Sequence, residues 1–336
     1  MQSQQISIIM PAYNAEKFIG DSLQSTITQT YQNFEVIVVD DGSSDKTCNI
    51  VKHYISKDKR IKLLNQKHSG TADARNLGIN NAKGSLIAFL DADDLWHPDK
   101  LSQQITFMRN YSSVGLVSCL AVIIDDKSVS QGLTSGKVLN GNCYKTMLEA
   151  GGISGGSIVL AKKKCLDNVG GFDSLLEPYE DWDMWIRLTR SFKIATVPKI
   201  LVGYRRSDTC VSRNYKRLMH SGRLVLNKAF EKDKNLSRKY YDFCFSRDVI
   251  GIGAWCFIDG EYKEARRFVI KSTKISFVAC ITELQRLGFF MLLIMASLVP
   301  KKLFKRFVME KLLPSVFGLK YGMQFSKMCV DKKNFL

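Results

Sequence analysis

Short apolar runs alternate with amphipathic segments along the first ninety residues of the chain. The apolar runs are rich in β-branched residues and predict four buried strands, at residues 6–10, 34–39, 61–64 and 85–90. Between them, apolar residues at helical spacing predict three helices, at residues 15–30, 46–56 and 72–81. We expect Asn14 to cap the first of these helices. The alternation predicts an α/β fold with a mostly parallel, doubly wound central sheet flanked by helices.

The rest of the chain shows two further patterns. Residues 96–215 mix both kinds of element, with predicted helices at 98–111 and 180–191 and predicted strands at 115–124, 157–161 and 194–202. We expect Pro198 to break the last of these strands. Residues 216–336 are mainly helical in pattern, and their apolar run at 287–299 is shorter than the roughly 20 residues of a spanning helix.

Positive charge is concentrated in the second part of the chain. The formal net charge is +17, and residues 216–336 carry 24 Lys and Arg against 10 Asp and Glu. Residues 1–215 carry 25 against 22 and are nearly neutral. We therefore predict a domain at residues 1–215 and a basic helical C-terminal extension at residues 216–336. Such a region suits an acidic partner, such as anionic lipid, nucleic acid or a phosphorylated substrate.

The cysteines and the N-terminus favour a reducing compartment. Nine cysteines occur without a CxxC pair, which indicates free thiols rather than a disulfide framework or a zinc site. The apolar run at residues 6–10 is too short for the core of a signal peptide. We expect a cytoplasmic protein.

Acidic residues follow two of the predicted strands. Ligands of parallel sheets bind beyond the carboxyl ends of the strands, so this placement suggests a site. Asp91 and Asp93 are two residues apart and can reach one hard cation and a ribose together. The alternative is a solvated turn in which Asp94 caps the next helix. Asp40 can accept a hydrogen bond from a nucleotide base, or it belongs to a simple polar turn.

Three further groups carry candidate chemistry, each with a structural alternative. Arg75 opens a predicted helix and can bind phosphate there, or it lies on a solvated face. Asp181, in an acidic helix start rich in Trp, is a candidate general base or a partner of the helix dipole. Arg205 and Arg206 can clamp a diphosphate or form an exposed basic loop. No GxGxxG follows the first strand and no GxxxxGK[ST] occurs, which argues against nicotinamide dinucleotide enzymes and P-loop proteins.

Taken together, ordered motifs over residues 5–215 resemble the family 2 glycosyltransferases. The motifs are Ile6–Asn14, Val36–Asp45, Ala74–Gly78, Phe89–Asp94, Gly170–Asp173 and Glu180–Asp183. The resemblance implies the GT-A fold and transfer with inversion at the sugar. Ser207 stands where the family often has a His two residues beyond a Tyr-Arg pair, so Arg205 or Arg206 would supply the charge there.

The resemblance also implies roles for particular residues. Pro11, Ala12 and Tyr13 would line the nucleotide pocket, and Asp40 would contact the base. Arg75 would lie near the nucleotide, and Asp91 would approach the ribose. Asp93 would bind Mn²⁺ or Mg²⁺ on the diphosphate, and Asp181 would be the catalytic base.

The resemblance leads us to expect a metal-dependent hexosyltransferase that uses a UDP-sugar. Its acceptor would be the hydroxyl of a lipid-linked or growing glycan in cell-surface polysaccharide synthesis. The apolar run and the basic stretch at residues 303–313 suit docking on the inner face of the cell membrane, or else form an ordinary helical subdomain. Two alternatives are a sugar nucleotidyltransferase and a non-catalytic nucleic-acid-binding protein. The acids at the strand ends argue against nucleic acid because, without a metal, they would repel phosphate.

Overall fold

A computed structural model describes residues 4–111, 113–149, 151–207 and 213–281 of the protein. The strands in these ranges are β1 (Ile6–Ala12), β2 (Phe34–Asp40), β3 (Ile61–Asn65), β4 (Leu86–Phe89), β5 (Leu95–Trp96), β6 (Val114–Ile124), β7 (Ser130–Ser135), β8 (Leu160–Lys162) and β9 (Lys193–Arg205). The helices are α1 (Ile19–Ile27), α2 (Thr47–Lys57), α3 (Thr71–Asn80), α4 (Lys100–Asn110), α5 (Tyr144–Leu148), α6 (Lys163–Val169), α7 (Glu180–Ser191), α8 (Tyr215–Lys232), α9 (Arg238–Ile258), α10 (Tyr262–Ile275) and α11 (Phe277–Ile281). A 3₁₀ turn, Ser174–Leu176, precedes α7.

The strands form one sheet in the order β3-β2-β1-β4-β8-β6-β9-β5, with β7 beside β6. Strands β3, β2, β1 and β4 are parallel to one another. Strand β8 runs antiparallel between β4 and β6, so β6 and its parallel neighbour β9 point the same way as β1. The mostly parallel α/β sheet flanked by helices, expected from the sequence pattern, is confirmed.

Strands β1 and β2 in the first half of the sheet are buried on both faces. Every residue of β1 and β2 is buried, as the continuous apolar pattern of these strands requires. Helix α3 packs unusually close to β1, because Gly78 faces Ile9 there. A Cβ atom on Gly78 would lie only 2.4 Å from Cγ2 of Ile9. This close approach fixes the position of α3 over the sheet, and with it the position of Arg75.

Two sequence expectations about element ends were wrong. Asn14 does not cap a helix: its φ is 48°, its side-chain Oδ1 accepts a hydrogen bond from the Ser44 N–H, and α1 begins only at Ile19. Pro198 does not break its strand, because β9 continues to Arg205. The register with β6 passes from Val197 directly to Ile200, so Pro198 lies in a bulge and no ladder hydrogen bond is lost.

Helices α8, α9 and α10 follow the sheet, and α9 and α10 form a helical hairpin. The turn between them carries Asp259, which receives a two-pronged contact from the guanidinium of Arg206 at the end of β9. None of the helices in the described ranges is both long enough and apolar enough to cross a membrane. The apolar and basic stretch at residues 287–313 lies outside the described residues.

Candidate active site

The carboxyl ends of β1, β2 and β4 lie side by side at one edge of the sheet. Ala12 pairs in register with Asp40, and the N–H of Leu90 donates to the carbonyl of Ile9 at 3.0 Å. Pro11 and Ala12 therefore lie next to Asp40, one strand away from Asp91. This is the edge at which open α/β sheets bind ligands.

Arg75 lies at the centre of an acidic group at this edge. Its guanidinium donates to Oδ1 of Asp91 at 2.8 Å and to Oε1 of Glu180 at 2.6 Å. Burial alone would lower the pKa of Arg75, but Asp91, Glu180 and Asp181 raise it. Because α3 carries Arg75, β4 leads to Asp91 and α7 begins with Glu180, one guanidinium joins three elements.

Asp181 lies in the first turn of α7, beside this cluster. Its Oδ1 accepts the N–H of Trp182 at 2.6 Å. Burial and the neighbouring Glu180 raise the pKa of Asp181 to about 7, against the opposing effect of Arg75. A carboxyl with this pKa can accept a proton near neutral pH, which is the requirement for a general base.

Asp91 and Asp93 form a pair of carboxylates after β4. The N–H of Asp91 donates to Oγ of Ser157 at 3.0 Å, which fixes the start of the turn. Burial and the charge of Asp91 raise the pKa of Asp93 to about 7, while Arg205 lowers it.

The oxygen chemistry of this pair fits Mn²⁺ or Mg²⁺, which are bound by one or two carboxylates together with substrate phosphates. Within the described ranges, no group of three or more His, Cys, Asp or Glu side chains is arranged to hold a metal. Any cation here would therefore take its remaining oxygens from substrate and water.

The side chains near β1 and β2 form a separate part of the edge. Asp40 accepts the N–H of Ser43 at Oδ2, and its buried Oδ1 has no hydrogen-bond donor among the described residues. A base N–H would satisfy that oxygen. The half-exposed ring of Tyr13 stacks on His68, with ring centroids 4.1 Å apart.

His68 and Glu180 were missed by the sequence analysis as candidate site residues. Nδ1 of His68 lies 2.8 Å from Oδ2 of Asp41, which orients the ring beneath Tyr13. No local pattern around His68 signals its stacking on Tyr13, because the two residues lie 55 positions apart in sequence. Glu180 belongs to a recognised acidic run, but the sequence alone does not tell which carboxylate of that run faces Arg75.

The structure does not bring Arg205 and Arg206 together as a clamp. The guanidinium of Arg205 donates to the carbonyl of Asp93 at 2.7 Å and to that of Asp125 at 2.6 Å. The guanidinium of Arg206 points the other way, to Asp259 and to the ring of Trp255 at 4.3 Å. Arg205 therefore holds two backbone carbonyls in place, and Arg206 holds the turn that follows α9.

The start of α3, expected to attract a ligand anion, instead holds a carboxylate of the protein. The N–H of Ala72 donates to Oε1 of Glu177 at 2.9 Å. Gly70 allows this approach, because a Cβ there would lie 2.5 Å from the same oxygen. Glu177 thus accepts a hydrogen bond from the start of the helix, and the guanidinium of Arg75 is already paired with Asp91 and Glu180.

Sequence comparison gives the family to which this fold and its acidic edge belong. The chain belongs to glycosyltransferase family 2: the profile described as "Glycosyl transferase family 2" matches residues 7–158. The chain is 32% identical over 265 residues to Escherichia coli WfgD, a UDP-Glc:alpha-D-GlcNAc-diphosphoundecaprenol beta-1,3-glucosyltransferase. That match covers 78% of this chain and 98% of WfgD.

Solved structures share the fold. S. aureus TarS 1-349 in complex with UDP-GlcNAc matches with a TM-score of 0.58 at 20% identity, over 82% of this chain and 81% of TarS 1-349. The mannosyltransferase PcManGT from Pyrobaculum calidifontis, in complex with GDP-Man and Mn²⁺, matches with a TM-score of 0.60 at 17% identity, over 99% of this chain and 89% of its own. The GT-A fold expected from the sequence is confirmed.

Other curated relatives are longer than the part they share with this chain. The matched part spans 60% of an uncharacterized glycosyltransferase of Haemophilus influenzae, and 32% to 34% of three such proteins of Rickettsia species.

Proposed function

We propose that this glycosyltransferase moves a sugar from a UDP-sugar to an acceptor hydroxyl with inversion at the anomeric carbon. The acceptor is a lipid-linked or growing glycan of a cell-surface polysaccharide. The enzyme works in the cytoplasm, peripherally on the inner face of the membrane. Residues 1–215 form the catalytic part, and the basic region from 216 brings it to its acceptor.

One observation carries this proposal. Asp91 and Asp181, which are far apart in sequence, both lie near Arg75 at the carboxyl edge of the sheet, and Asp93 lies next to Asp91. Several carboxylates so close to one another suit a site that receives a cation and a diphosphate, because the positive charge offsets their repulsion. A purely structural turn gives no reason to gather them.

The residues act in a single displacement. Asp181 takes the proton from the acceptor hydroxyl as its oxygen attacks the anomeric carbon, and the sugar–phosphate bond breaks on the opposite face. Asp40 holds the base, Asp91 the ribose, and Pro11, Ala12 and Tyr13 form the pocket wall. Mn²⁺ or Mg²⁺ at Asp93 would supply positive charge to the departing diphosphate. One displacement inverts the configuration.

The relatives support the finer parts of the proposal. WfgD by name uses UDP-Glc and an undecaprenol-linked acceptor, and 98% of its length matches this chain. TarS and PcManGT were solved with nucleotide sugars, the latter also with Mn²⁺. The unpartnered Oδ1 of Asp40 suits the ring N–H of uracil.

The substitution Asp181→Asn tests the base. It keeps the shape of the side chain but removes the proton acceptor, so we expect transfer to fall by about 10²–10⁴-fold. Binding of the donor, measured by calorimetry, should change little. Asp167→Asn, an exposed carboxylate on α6, is the matched control. Near-normal turnover of a folded Asp181→Asn protein would refute the role of Asp181.

Product analysis tests the reaction class. A panel of sugar nucleotides is screened for thermal stabilisation that requires Mn²⁺, and the product of the best donor is then identified. We expect a free nucleoside diphosphate and a glycoside of inverted configuration. Release of pyrophosphate would instead indicate a nucleotidyltransferase.

A further inference from the structure

Helix α10 has two faces of opposite character. Its buried stripe, Ala265, Phe268, Val269 and Ser272, packs in the hairpin with α9. Its outer stripe carries Lys263, Arg266, Ile270, Lys271 and Lys274, all of them exposed and spaced to share one side of the helix. Phe277, the first residue of α11, follows the helix after Ser276 and is 63% exposed. We call these six outer residues the α10 face.

The α10 face combines unpaired positive charge with exposed apolar groups. None of its four cationic side chains forms an ion pair with a described residue. The one acid of α10, Glu264, lies at the edge of this side and is paired with Arg267, a fifth basic residue of the same side. Ile270 is 43% exposed, and Val278 beside Phe277 is 54% exposed. Removing these apolar side chains from water would strengthen binding to a partner with an apolar interior. A purely polyanionic partner offers no apolar surface on which to bury them.

The α10 face starts close to the active-site edge. Arg205 at the end of β9 contacts the carbonyl of Asp93, and the next residue, Arg206, holds Asp259. Lys263 follows Asp259 by four residues. Two contacts and two short stretches of chain therefore link the backbone of Asp93, the proposed metal ligand, to the beginning of the α10 face.

We propose that the α10 face docks on an anionic lipid bilayer, with Ile270 and Phe277 entering the interface and the cationic side chains contacting lipid phosphates. The proposal rests on the proposed function, because docking there brings the active-site edge to the surface that holds a lipid-linked acceptor. Basic residues near an anionic leaflet and apolar side chains in its interface both strengthen binding.

Sedimentation of the full chain with vesicles tests the proposal. We expect binding to vesicles of phosphatidylcholine with phosphatidylglycerol, weakening as NaCl rises, and little binding to phosphatidylcholine alone. The variant Lys263→Glu/Arg266→Glu/Lys271→Glu/Lys274→Glu should bind on the order of 10²-fold more weakly. Ile270→Ser/Phe277→Ser should weaken binding about tenfold or more, at high salt as well.

The control variant reverses charge elsewhere. Lys52→Glu/Lys57→Glu/Lys59→Glu changes three exposed lysines on and beside α2 and should leave vesicle binding nearly unchanged. An equal loss in this control would show that overall charge, not the α10 face, causes binding. Unchanged binding of the α10 charge variant would show that the α10 face does not carry vesicle binding. Either result overturns the proposal.

Two further readouts separate the possible failures. If Ile270→Ser/Phe277→Ser binds vesicles normally while single-stranded DNA competes with them, the face is a polyanion site and the lipid assignment is wrong. Sugar transfer to a water-soluble acceptor should stay normal in the α10 variants, whereas transfer to a lipid-linked acceptor in vesicles should fall. Absence of transfer to every acceptor, with vesicle binding as expected, would refute the proposed function and leave the docking surface in place.

Discussion

Arg75 is the residue that allows several acids to lie together at the sheet edge. Its guanidinium is buried and pairs with Asp91 on one side and Glu180 on the other. The second carboxylate oxygen of Glu180 is buried without a hydrogen-bond partner among the described residues. Buried charges are tolerated only when they are paired, so Asp91 and Glu180 both depend on this guanidinium.

Replacing Arg75 should therefore cost stability as well as activity. We expect Arg75→Met to lower the free energy of unfolding by roughly 3–5 kcal/mol, because it leaves buried carboxylates without a counter-charge. Adding Glu180→Gln should recover part of that loss without restoring transfer. Urea unfolding measures both effects, with the exposed Arg109→Met as control. An Arg75→Met protein as stable as the control would contradict the pairing.

Among the elements, α3 has the most constrained position. Gly78 brings the helix against Ile9 of β1, and the side chain of Asn76 holds the backbone of Phe172 from both its amide and its carbonyl oxygen. The carboxylate of Glu177 accepts the N–H of Ala72 at the start of the same helix. These contacts fix α3 at three points, and Arg75 lies between them.

We expect Gly78→Ala to push α3 away from β1. The new methyl group would meet Ile9, and overpacking of this kind costs about 1–3 kcal/mol. Transfer activity should also fall, because Arg75 moves with the helix. In the double variant with Ile9→Ala the clash is absent, so its loss of stability should be smaller than the sum of the two single losses. Simple additivity in urea unfolding would contradict the close contact.

The sequence predicted the strands and helices better than it predicted contacts between residues that are distant in the chain. The strands and helices of the first ninety residues follow from apolar periodicity, which depends only on local spacing. The bulge at Pro198 and the short strand β5 depend on pairing with distant segments, so local pattern does not reveal them. The same reason explains His68 and the separate partners of Arg205 and Arg206: their contacts are formed only when the chain is folded.

At the scale of the whole molecule, Asp248 of α9 joins the C-terminal helices to the segment before α7. The hydroxyl of Tyr179 donates to its Oδ1 at 3.1 Å, and its Oδ2 is buried without a hydrogen-bond partner among the described residues. Gly222 of α8 makes room for that oxygen. Burial raises the pKa of Asp248 to about 7, although the bond from Tyr179 opposes this.

This pKa predicts a particular pH dependence of stability. Between pH 4 and 7 the folded protein keeps a proton on Asp248 that the unfolded chain releases, so stability falls as pH rises through this range and stays lower above it. Asp248→Asn is neutral at every pH. Its free energy of unfolding should exceed that of the wild type by an amount that grows from pH 4 to 7, to on the order of 4 kcal/mol.

Urea unfolding at a series of pH values measures this difference, and Asp167→Asn is the exposed control that should show none. A difference that stays constant from pH 4 to 8 would mean that Asp248 titrates as an ordinary carboxyl.

The contact between Arg206 and Asp259 has a practical consequence for anyone who shortens this protein. A polypeptide that stops near residue 215 would lack Asp259, Trp255 and Asp248. The buried guanidinium of Arg206 would then lose its acid and its aromatic neighbour, and Tyr179 would lose its acceptor. We expect such a fragment to aggregate. A shortened protein that stays folded should extend at least through α10.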